Sequence, residues 1–134
     1  MKAFIDTNIF IYAMELHPTH SEAAGRILDM VDSGGLDGYT SSLVILEICW
    51  YLESRERLRE MQEAIDLITG SKIRITEPGL QDIKQAVKDK TEYAGIDLND
   101  LINYYLMRRQ GLEVIYTKDP RFQRLPGLVT MFNE

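Results

Sequence analysis

Two aspartates follow apolar runs that have the pattern of buried strands. Asp6 comes directly after residues 3–5, and Asp119 follows residues 114–116 with two residues between. In an open parallel sheet, ligands bind beyond the carboxyl ends of the strands, so both carboxylates are expected at one edge. Taken singly, Asp6 can be a helix N-cap and Asp119 a turn former beside Pro120. Their joint placement favours a functional site.

A third acidic residue, Glu47, lies inside an apolar segment. Residues 43–46 and 48–52 flank it with aliphatic and aromatic side chains and one cysteine, which predicts a helix that is apolar nearly all round and largely buried. An ionised carboxylate there is unfavourable unless it pairs with a cation or binds a metal ion. The structural alternative is a salt bridge to an arginine such as Arg26 or Arg108, or contact with solvent at one edge. A metal ion is the sharper hypothesis.

Asp97 and Asp100 stand three residues apart at the start of a predicted helix, so their side chains share one face. The helix dipole favours negative charge at that end. Asp97 suits the N-cap position, where capping explains it as well as metal binding does, and Asp100 is the better candidate ligand. Oxygen ligands of this kind suit hard cations such as Mg²⁺ or Mn²⁺, and zinc is disfavoured.

These acidic residues need elements that bring them together, and the chain predicts strands alternating with helices. Apolar runs and turn residues predict strands over residues 2–5, 37–40, 72–76, 113–116 and 128–131. Helical spacing and capping residues predict helices over residues 9–14, 19–31, 43–54, 57–69 and 98–109, and a further helix with Pro78 in its first turn. Residues 117–126 are predicted to form a loop.

The alternation of strands and helices implies parallel pairing through right-handed crossovers, with helices on both faces of the sheet. The predicted fold class is therefore α/β, a three-layer α/β/α sandwich with a mostly parallel central sheet of about five strands. The 134 residues fall within the common size of one domain. We expect a single domain over residues 1–134.

Composition indicates the cellular environment and the kinds of partner that are expected. Cys49 is the only cysteine, which favours a reduced, buried thiol and a cytoplasmic protein. No apolar stretch reaches the roughly 18 residues needed to span a bilayer, and Asp6 interrupts the N-terminus before a signal-peptide core can form. Export and membrane insertion are not expected. The net charge of −6 argues against broad attraction to nucleic acid, so such a substrate would need local positive charge.

Other chemistries lack their sequence signatures. The pair Gly34 and Gly35 has neither the Walker lysine nor the dinucleotide-binding spacing, and no serine lies in a nucleophile elbow. His17 and His20 are the only histidines, and no cysteine is near enough to complete a zinc site. A phosphotransfer receiver or a haloacid-dehalogenase-like phosphatase is discounted, because Asp6 has no acidic neighbour at its strand end and no Asp-x-Asp signature occurs.

Several short motifs share one order along the chain: Phe-Ile-Asp-Thr-Asn at residues 4–8, Glu47 in its apolar helix, Asp-Leu-Ile at residues 100–102, Tyr-Thr-Lys-Asp at residues 116–119, and Phe122. In this order and spacing the chain resembles the PIN (PilT N-terminus) domain family over essentially its whole length. The resemblance implies that the catalytic, metal-binding acids are Asp6, Glu47, Asp100 and Asp119, with Asp97 as an auxiliary ligand. It also implies supporting roles for Thr7, Asn8 and Thr117.

The resemblance implies a function as well as a fold. It indicates a Mg²⁺- or Mn²⁺-dependent ribonuclease that hydrolyses phosphodiester bonds of single-stranded RNA, similar to toxins of the VapC type that an antitoxin neutralises. A homodimer is expected, with the antitoxin covering an apolar groove near the Glu47 helix. The alternative is a non-catalytic PIN-like module that binds RNA or a protein.

Positive residues near the proposed site are candidates for holding the substrate. Lys118 and Arg121 flank Asp119, whereas Arg55, Arg57 and Arg59 are expected to form ordinary salt bridges on a solvated face. The family often carries another acid two residues after the fourth one, where this chain has Arg121. This departure favours one well-held metal ion over two.

Overall fold

A computed structural model describes residues 1–132, and these contain one five-stranded sheet. The strands are β1 (Lys2–Ile5), β2 (Asp37–Ser41), β3 (Arg74–Thr76), β4 (Val114–Tyr116) and β5 (Val129–Met131), in the spatial order β3-β2-β1-β4-β5. Every neighbouring pair in the described residues is parallel. The predicted α/β class with about five strands is confirmed, and the sheet is parallel throughout.

Six α-helices flank this sheet. They are α1 (Thr7–Met14), α2 (Ser21–Asp32), α3 (Ser42–Glu53), α4 (Leu58–Thr69), α5 (Leu80–Asp89) and α6 (Leu98–Arg109). In the central strand β1, Ala3, Phe4 and Ile5 are all fully buried. Because successive side chains of a strand point to opposite faces, both faces of the sheet are covered. The three-layer arrangement is therefore confirmed. Residues 133 and 134 lie outside the described part, and one domain over residues 1–134 stays a prediction.

Local capping determines where the helices begin. Asp6 accepts a hydrogen bond from the backbone N–H of Thr7, and Ser41 accepts one from Val44, so strands β1 and β2 each lead directly into a helix. The prediction that Pro78 lies in the first turn of a helix is wrong. Helix α5 begins at Leu80, after Gly79, whose N–H donates to Asp82.

Two further predictions needed correction. The segment predicted as a loop contains a 3₁₀ helix, Pro120–Arg124, which starts from an aspartate cap at Asp119. Helix α3 was expected to be largely buried, yet Leu46 and Trp50 on its outer face are exposed, because only one face packs on the rest of the fold. Cys49 lies on the inner face as a free, buried thiol, as predicted. No helix in residues 1–132 has the length and apolar character needed to cross a membrane.

Candidate active site

A polar cavity of about 260 Å³ opens where strands β1 and β4 end. Its walls include five carboxylates and one guanidinium, from Asp6, Glu47, Asp97, Asp100, Asp119 and Arg121. These side chains come from four separate segments of the chain, and the fold brings all five predicted acids to one place. Thr7 and Asn8 also line the cavity.

The Thr117 hydroxyl ties the ends of β1 and β4 together. It donates to Asp6 Oδ2 at 2.7 Å and accepts from the backbone N–H of Asp119 at 3.0 Å and from Asn8 Nδ2 at 3.4 Å. The side-chain oxygen of Asn8, Oδ1, in turn accepts a hydrogen bond from the backbone N–H of Lys118 at 3.1 Å. These bonds hold Asp6 and Asp119 at neighbouring strand ends. Thr117 and Asn8 therefore connect the two strand ends, and the supporting roles expected from the sequence stay a prediction.

Glu47 projects from α3 into this cavity without a cation partner. Arg26 and Arg108 were its suggested partners, but Arg26 pairs with Glu22 and Arg108 donates to the Gly127 carbonyl, so the predicted salt bridge is wrong. Glu47 is half-buried, which agrees with the other structural alternative, contact with solvent at one edge. Oε1 of Glu47 is buried and makes no hydrogen bond within the described chain.

The environment of Glu47 disfavours its charge. Burial, followed by repulsion from Asp6, raises the pKa of Glu47 to about 7, with a weaker contribution from Asp97 and an opposing one from the Thr7 hydroxyl. Burial also raises the pKa of Asp6, although the hydrogen bonds from Thr117 and Thr7 oppose this. Two carboxylates in one cavity are thus held in surroundings that favour protonation or a bound cation.

The pKa of Asp100 is raised further than that of Glu47. Its side chain is 8% exposed, and burial raises its pKa to about 8, helped by repulsion from Asp6, Glu47, Asp119 and Asp97. Asp97 occupies the N-cap position of α6 as predicted, but its side chain makes no capping hydrogen bond and is 73% exposed. The capping explanation is therefore wrong for the Asp97 side chain, which faces the cavity rim.

Asp119 differs from the other acids because it has its own cation. Arg121 Nε donates to both Asp119 oxygens, at 3.0 and 3.1 Å, and Arg121 Nη2 donates to Oδ2 at 2.7 Å. The backbone N–H of Arg121 adds a bond to Oδ1 at 2.9 Å. Burial alone would raise the pKa of Asp119, but these hydrogen bonds and the guanidinium charge hold it below its ordinary value.

The carboxylate oxygens that line the cavity are suitable ligands for a hard divalent cation. Carboxylates are the ligands that Mg²⁺ and Mn²⁺ prefer, and the buried Glu47 oxygen lacks any other partner. In residues 1–132, no three acidic, histidine or cysteine side chains converge closely enough to form a preassembled metal-binding group. A bound ion would therefore have to draw them together.

Sequence reasoning missed two residues that line the cavity. Asn99 stands between the two aspartates that start α6, and Ile11 lies one turn after Asn8 on α1. Helical spacing from Asn8 could have indicated Ile11, and the polar first turn of α6 could have indicated Asn99. Lys118, which the sequence suggested as a substrate contact, does not line the cavity. Its backbone N–H donates a hydrogen bond to the Asn8 side chain.

Comparison with known proteins agrees with this fold and arrangement of acids. The PIN domain family matches residues 3–128, so the chain belongs to the PIN domain family. A curated relative, ribonuclease VapC13 of Mycobacterium tuberculosis, is 25% identical over 124 residues, which cover 92% of this chain and 95% of the relative.

Solved structures share the same fold. The structure of VapC20 of Mycobacterium tuberculosis, a toxin that cleaves the sarcin-ricin loop, superposes with a TM-score of 0.78 at 18% identity, covering 94% of this chain and 96% of that one. VapBC2 of Rickettsia felis, bound to a DNA fragment from its promoter, gives a TM-score of 0.75 at 21% identity, covering 98% of both chains.

Proposed function

We propose that this chain is a metal-dependent endoribonuclease that hydrolyses phosphodiester bonds of single-stranded RNA. The observation that carries the proposal is the cavity in which acids from β1, α3, α6 and the β4 loop meet. Three of them, Asp6, Glu47 and Asp100, have pKa values raised by burial. Strongly perturbed carboxylates that share a cleft are typical of a functional site. The choice of RNA rests on the relatives that are named ribonucleases.

Asp6, Glu47 and Asp100 are the proposed ligands of one Mg²⁺ or Mn²⁺ ion, with Asp97 at the rim. When bound, such an ion polarises the phosphodiester and lowers the pKa of a coordinated water. Thr117 holds the Asp6 carboxylate in place through its 2.7 Å hydrogen bond. Asp119 adds negative charge to the same cavity, although both of its carboxylate oxygens already accept hydrogen bonds from Arg121.

Arg121 is the proposed contact for a substrate phosphate. Its side chain is partly exposed at the cavity wall, and planar guanidinium groups suit phosphate oxygens. Arg57, in contrast, is held by Glu15 and Glu60, as expected for a structural salt bridge. A local cation is needed because the chain carries a net charge of −6, which repels RNA at long range.

The first experiment tests cleavage of labelled single-stranded RNA with EDTA, Mg²⁺ or Mn²⁺. We expect cleavage only with metal, and at least a 100-fold lower rate for Asp6→Asn and for Asp100→Asn, because each loses a charge that holds the ion. Asp29→Asn is the matched control, since Asp29 is an exposed acid on α2 outside the cavity. It should retain the rate of the unmodified protein.

Two results would contradict the ribonuclease proposal. One is cleavage that persists in EDTA, and the other is cleavage that both aspartate variants retain while circular dichroism shows them folded. Metal binding by calorimetry without cleavage of any RNA would favour the non-catalytic binding module instead.

We infer that the chain acts as the toxin of a toxin-antitoxin pair, in keeping with the similar solved structures that are described as toxins. An apolar groove of about 310 Å³ is the proposed antitoxin surface, and its walls include Phe10, Leu28 and Leu67. The groove lies between α1, α2 and α4, of which α1 and α4 pack against the Glu47 helix, near which the sequence suggested an antitoxin groove. Leu67 is 70% exposed, so an apolar partner segment would remove it from water.

Co-expression with a small protein encoded beside this chain tests the pair. Leu67→Asp should abolish co-purification and inhibition of RNA cleavage, because it puts an unpaired charge in an apolar interface. Leu58→Asp is the matched control, since Leu58 is an exposed leucine at the start of the same helix outside the groove. Equal binding by both variants would contradict the proposed surface.

A further inference from the structure

The carboxylate cavity divides into two electrostatically different halves. On one side, no salt bridge within the described residues reaches Asp6, Glu47 or Asp100, and Oε1 of Glu47 is buried without a hydrogen-bond partner. On the other side Asp119 is held by Arg121, which is the one cationic side chain among the described residues that line the cavity. Only the first half lacks positive charge.

The pair formed by Arg121 and Asp119 is built into one turn of the chain. Asp119 caps the 3₁₀ helix, and Pro120 fixes the backbone between the two residues. Arg121 then places Nε, Nη2 and its own backbone N–H on the carboxylate, so both Asp119 oxygens accept hydrogen bonds. Because the partners are two residues apart, little chain entropy opposes this contact. It is therefore a persistent feature of the site.

The remaining nitrogen of Arg121 faces the other wall of the cavity. Nη1 lies 3.4 Å from the Gly95 carbonyl oxygen and 3.7 Å from Asp97 Oδ1. The guanidinium thus spans from the end of β4 to the start of α6, across the mouth of the cavity. Paired metal sites hold two ions about 3.5–4 Å apart, so a second ion needs carboxylate oxygens that are free to bind it. A second ion at Asp119 would have to displace this guanidinium.

We propose that Arg121 takes the place of a second metal ion, so that the site binds one divalent ion in the half formed by Asp6, Glu47 and Asp100. An arginine keeps its charge at any working pH, and it can contact phosphate as well as carboxylate. The metal ion would then face the substrate phosphate from the half formed by Asp6, Glu47 and Asp100. Arg121 would supply positive charge from the opposite, Asp119 side of the cavity. This inference rests on the proposed function.

Metal stoichiometry tests the inference without any assay of activity. We expect isothermal titration with Mn²⁺ to give one ion per chain for the unmodified protein and two for Arg121→Met, which keeps an unbranched apolar side chain but removes the guanidinium and its charge. Arg121→Lys should keep one ion, because the positive charge remains. Arg124→Met is the matched control from the same 3₁₀ helix, since Arg124 has no ion pair in the described structure and should leave one ion.

A second measurement locates the additional ion. Two Mn²⁺ ions in one site broaden each other's electron paramagnetic resonance lines, so Arg121→Met should show broadening that the unmodified protein lacks. The double variant Asp119→Asn, Arg121→Met should return to one ion and narrow lines, because the second ion loses its carboxylate. Circular dichroism and melting curves confirm that each variant is folded.

The outcomes separate this inference from the function on which it rests. Two ions in the unmodified protein, or one ion in folded Arg121→Met, would overturn the role of Arg121 and leave the metal-dependent nuclease standing. A second ion that persists in the double variant would also overturn it. No Mn²⁺ bound by any variant would remove the metal site of the proposed function, and this inference with it.

Discussion

At the scale of single residues, burial decides which acids of this chain become chemically unusual. Asp100 lies buried in the first turn of α6, and burial is the main cause that raises its pKa to about 8. A carboxylate removed from water loses the solvation that stabilises its charge. The unpartnered oxygen of Glu47 is a further consequence of burial. Both acids should oppose folding when no cation is bound.

Because ionised Glu47 opposes folding when no cation is bound, we expect Glu47→Gln to stabilise the metal-free protein. Near pH 8 in EDTA, the variant should unfold at a higher temperature, with a gain of about 1 kcal/mol after allowance for solvent contact. The stabilisation that Mn²⁺ adds should shrink in the same variant, because a ligand is lost. Differential scanning calorimetry with EDTA and with Mn²⁺ measures both effects. Lower stability of the variant in EDTA would contradict the prediction.

At the scale of elements, a buried ion pair joins α5 to α6, the helix that carries Asp100. Asp82 is 3% exposed and accepts from Arg109 Nη2 at 2.7 Å and from the backbone N–H of Gly79. The hydrogen bond from Arg109 is the main cause that holds the pKa of Asp82 below its ordinary value, against the effect of burial. This pair therefore fixes the position of α6 beside the site.

The depressed pKa predicts how stability depends on pH. Ionised Asp82 stabilises the fold above its unfolded pKa of about 3.9, and that contribution is lost as pH falls through the lower folded value. Asp82→Asn should cost about 2 kcal/mol at neutral pH, and the difference from the unmodified protein should disappear in acid. Urea unfolding between neutral pH and pH 3 measures this, with Asp29→Asn as an exposed control. A difference that does not change with pH would contradict it.

At the scale of the whole molecule, α3 separates the active site from an apolar outer surface. Glu47 faces the cavity, while Leu46 and Trp50 on the same helix face solvent, and Trp50 is 50% exposed. Large exposed apolar side chains on one helix face are typical of an interface. The homodimer expected from the sequence would cover this face, since self-association removes both residues from water.

This surface predicts that Trp50→Glu produces a monomer. The introduced charge would be buried in the dimer, which should weaken association at least 100-fold. Light scattering over a range of concentrations measures the mass, and the fluorescence of Trp50, the only tryptophan, reports its burial in the unmodified protein. Leu80→Glu is the control, since Leu80 is an exposed leucine at the start of α5 and not on α3. A monomeric unmodified protein would contradict the homodimer.

The sequence by itself determined the element order, the parallel sheet and the acids that meet at its edge. Hydrophobic periodicity and capping residues act locally, so strands and helices such as α6, Leu98–Arg109, could be predicted closely. The PIN motifs likewise indicate Asp6, Glu47, Asp100 and Asp119 as one group of acids from residue type and order alone. Periodicity and capping depend on neighbours along the chain, and the motifs depend on residue type and order, so both can be obtained from the sequence.

Only the tertiary structure decided how each acid is paired and how exposed it is. If Glu47 had a structural role, it was expected to pair with an arginine or to reach solvent at one edge; no salt bridge of the described residues includes it, and the guanidinium at the cavity, that of Arg121, pairs with Asp119. Likewise, the outer face of α3 is exposed although its sequence is apolar all round. Pairing and burial depend on distances between segments that are far apart in sequence, and periodicity contains no information about those distances.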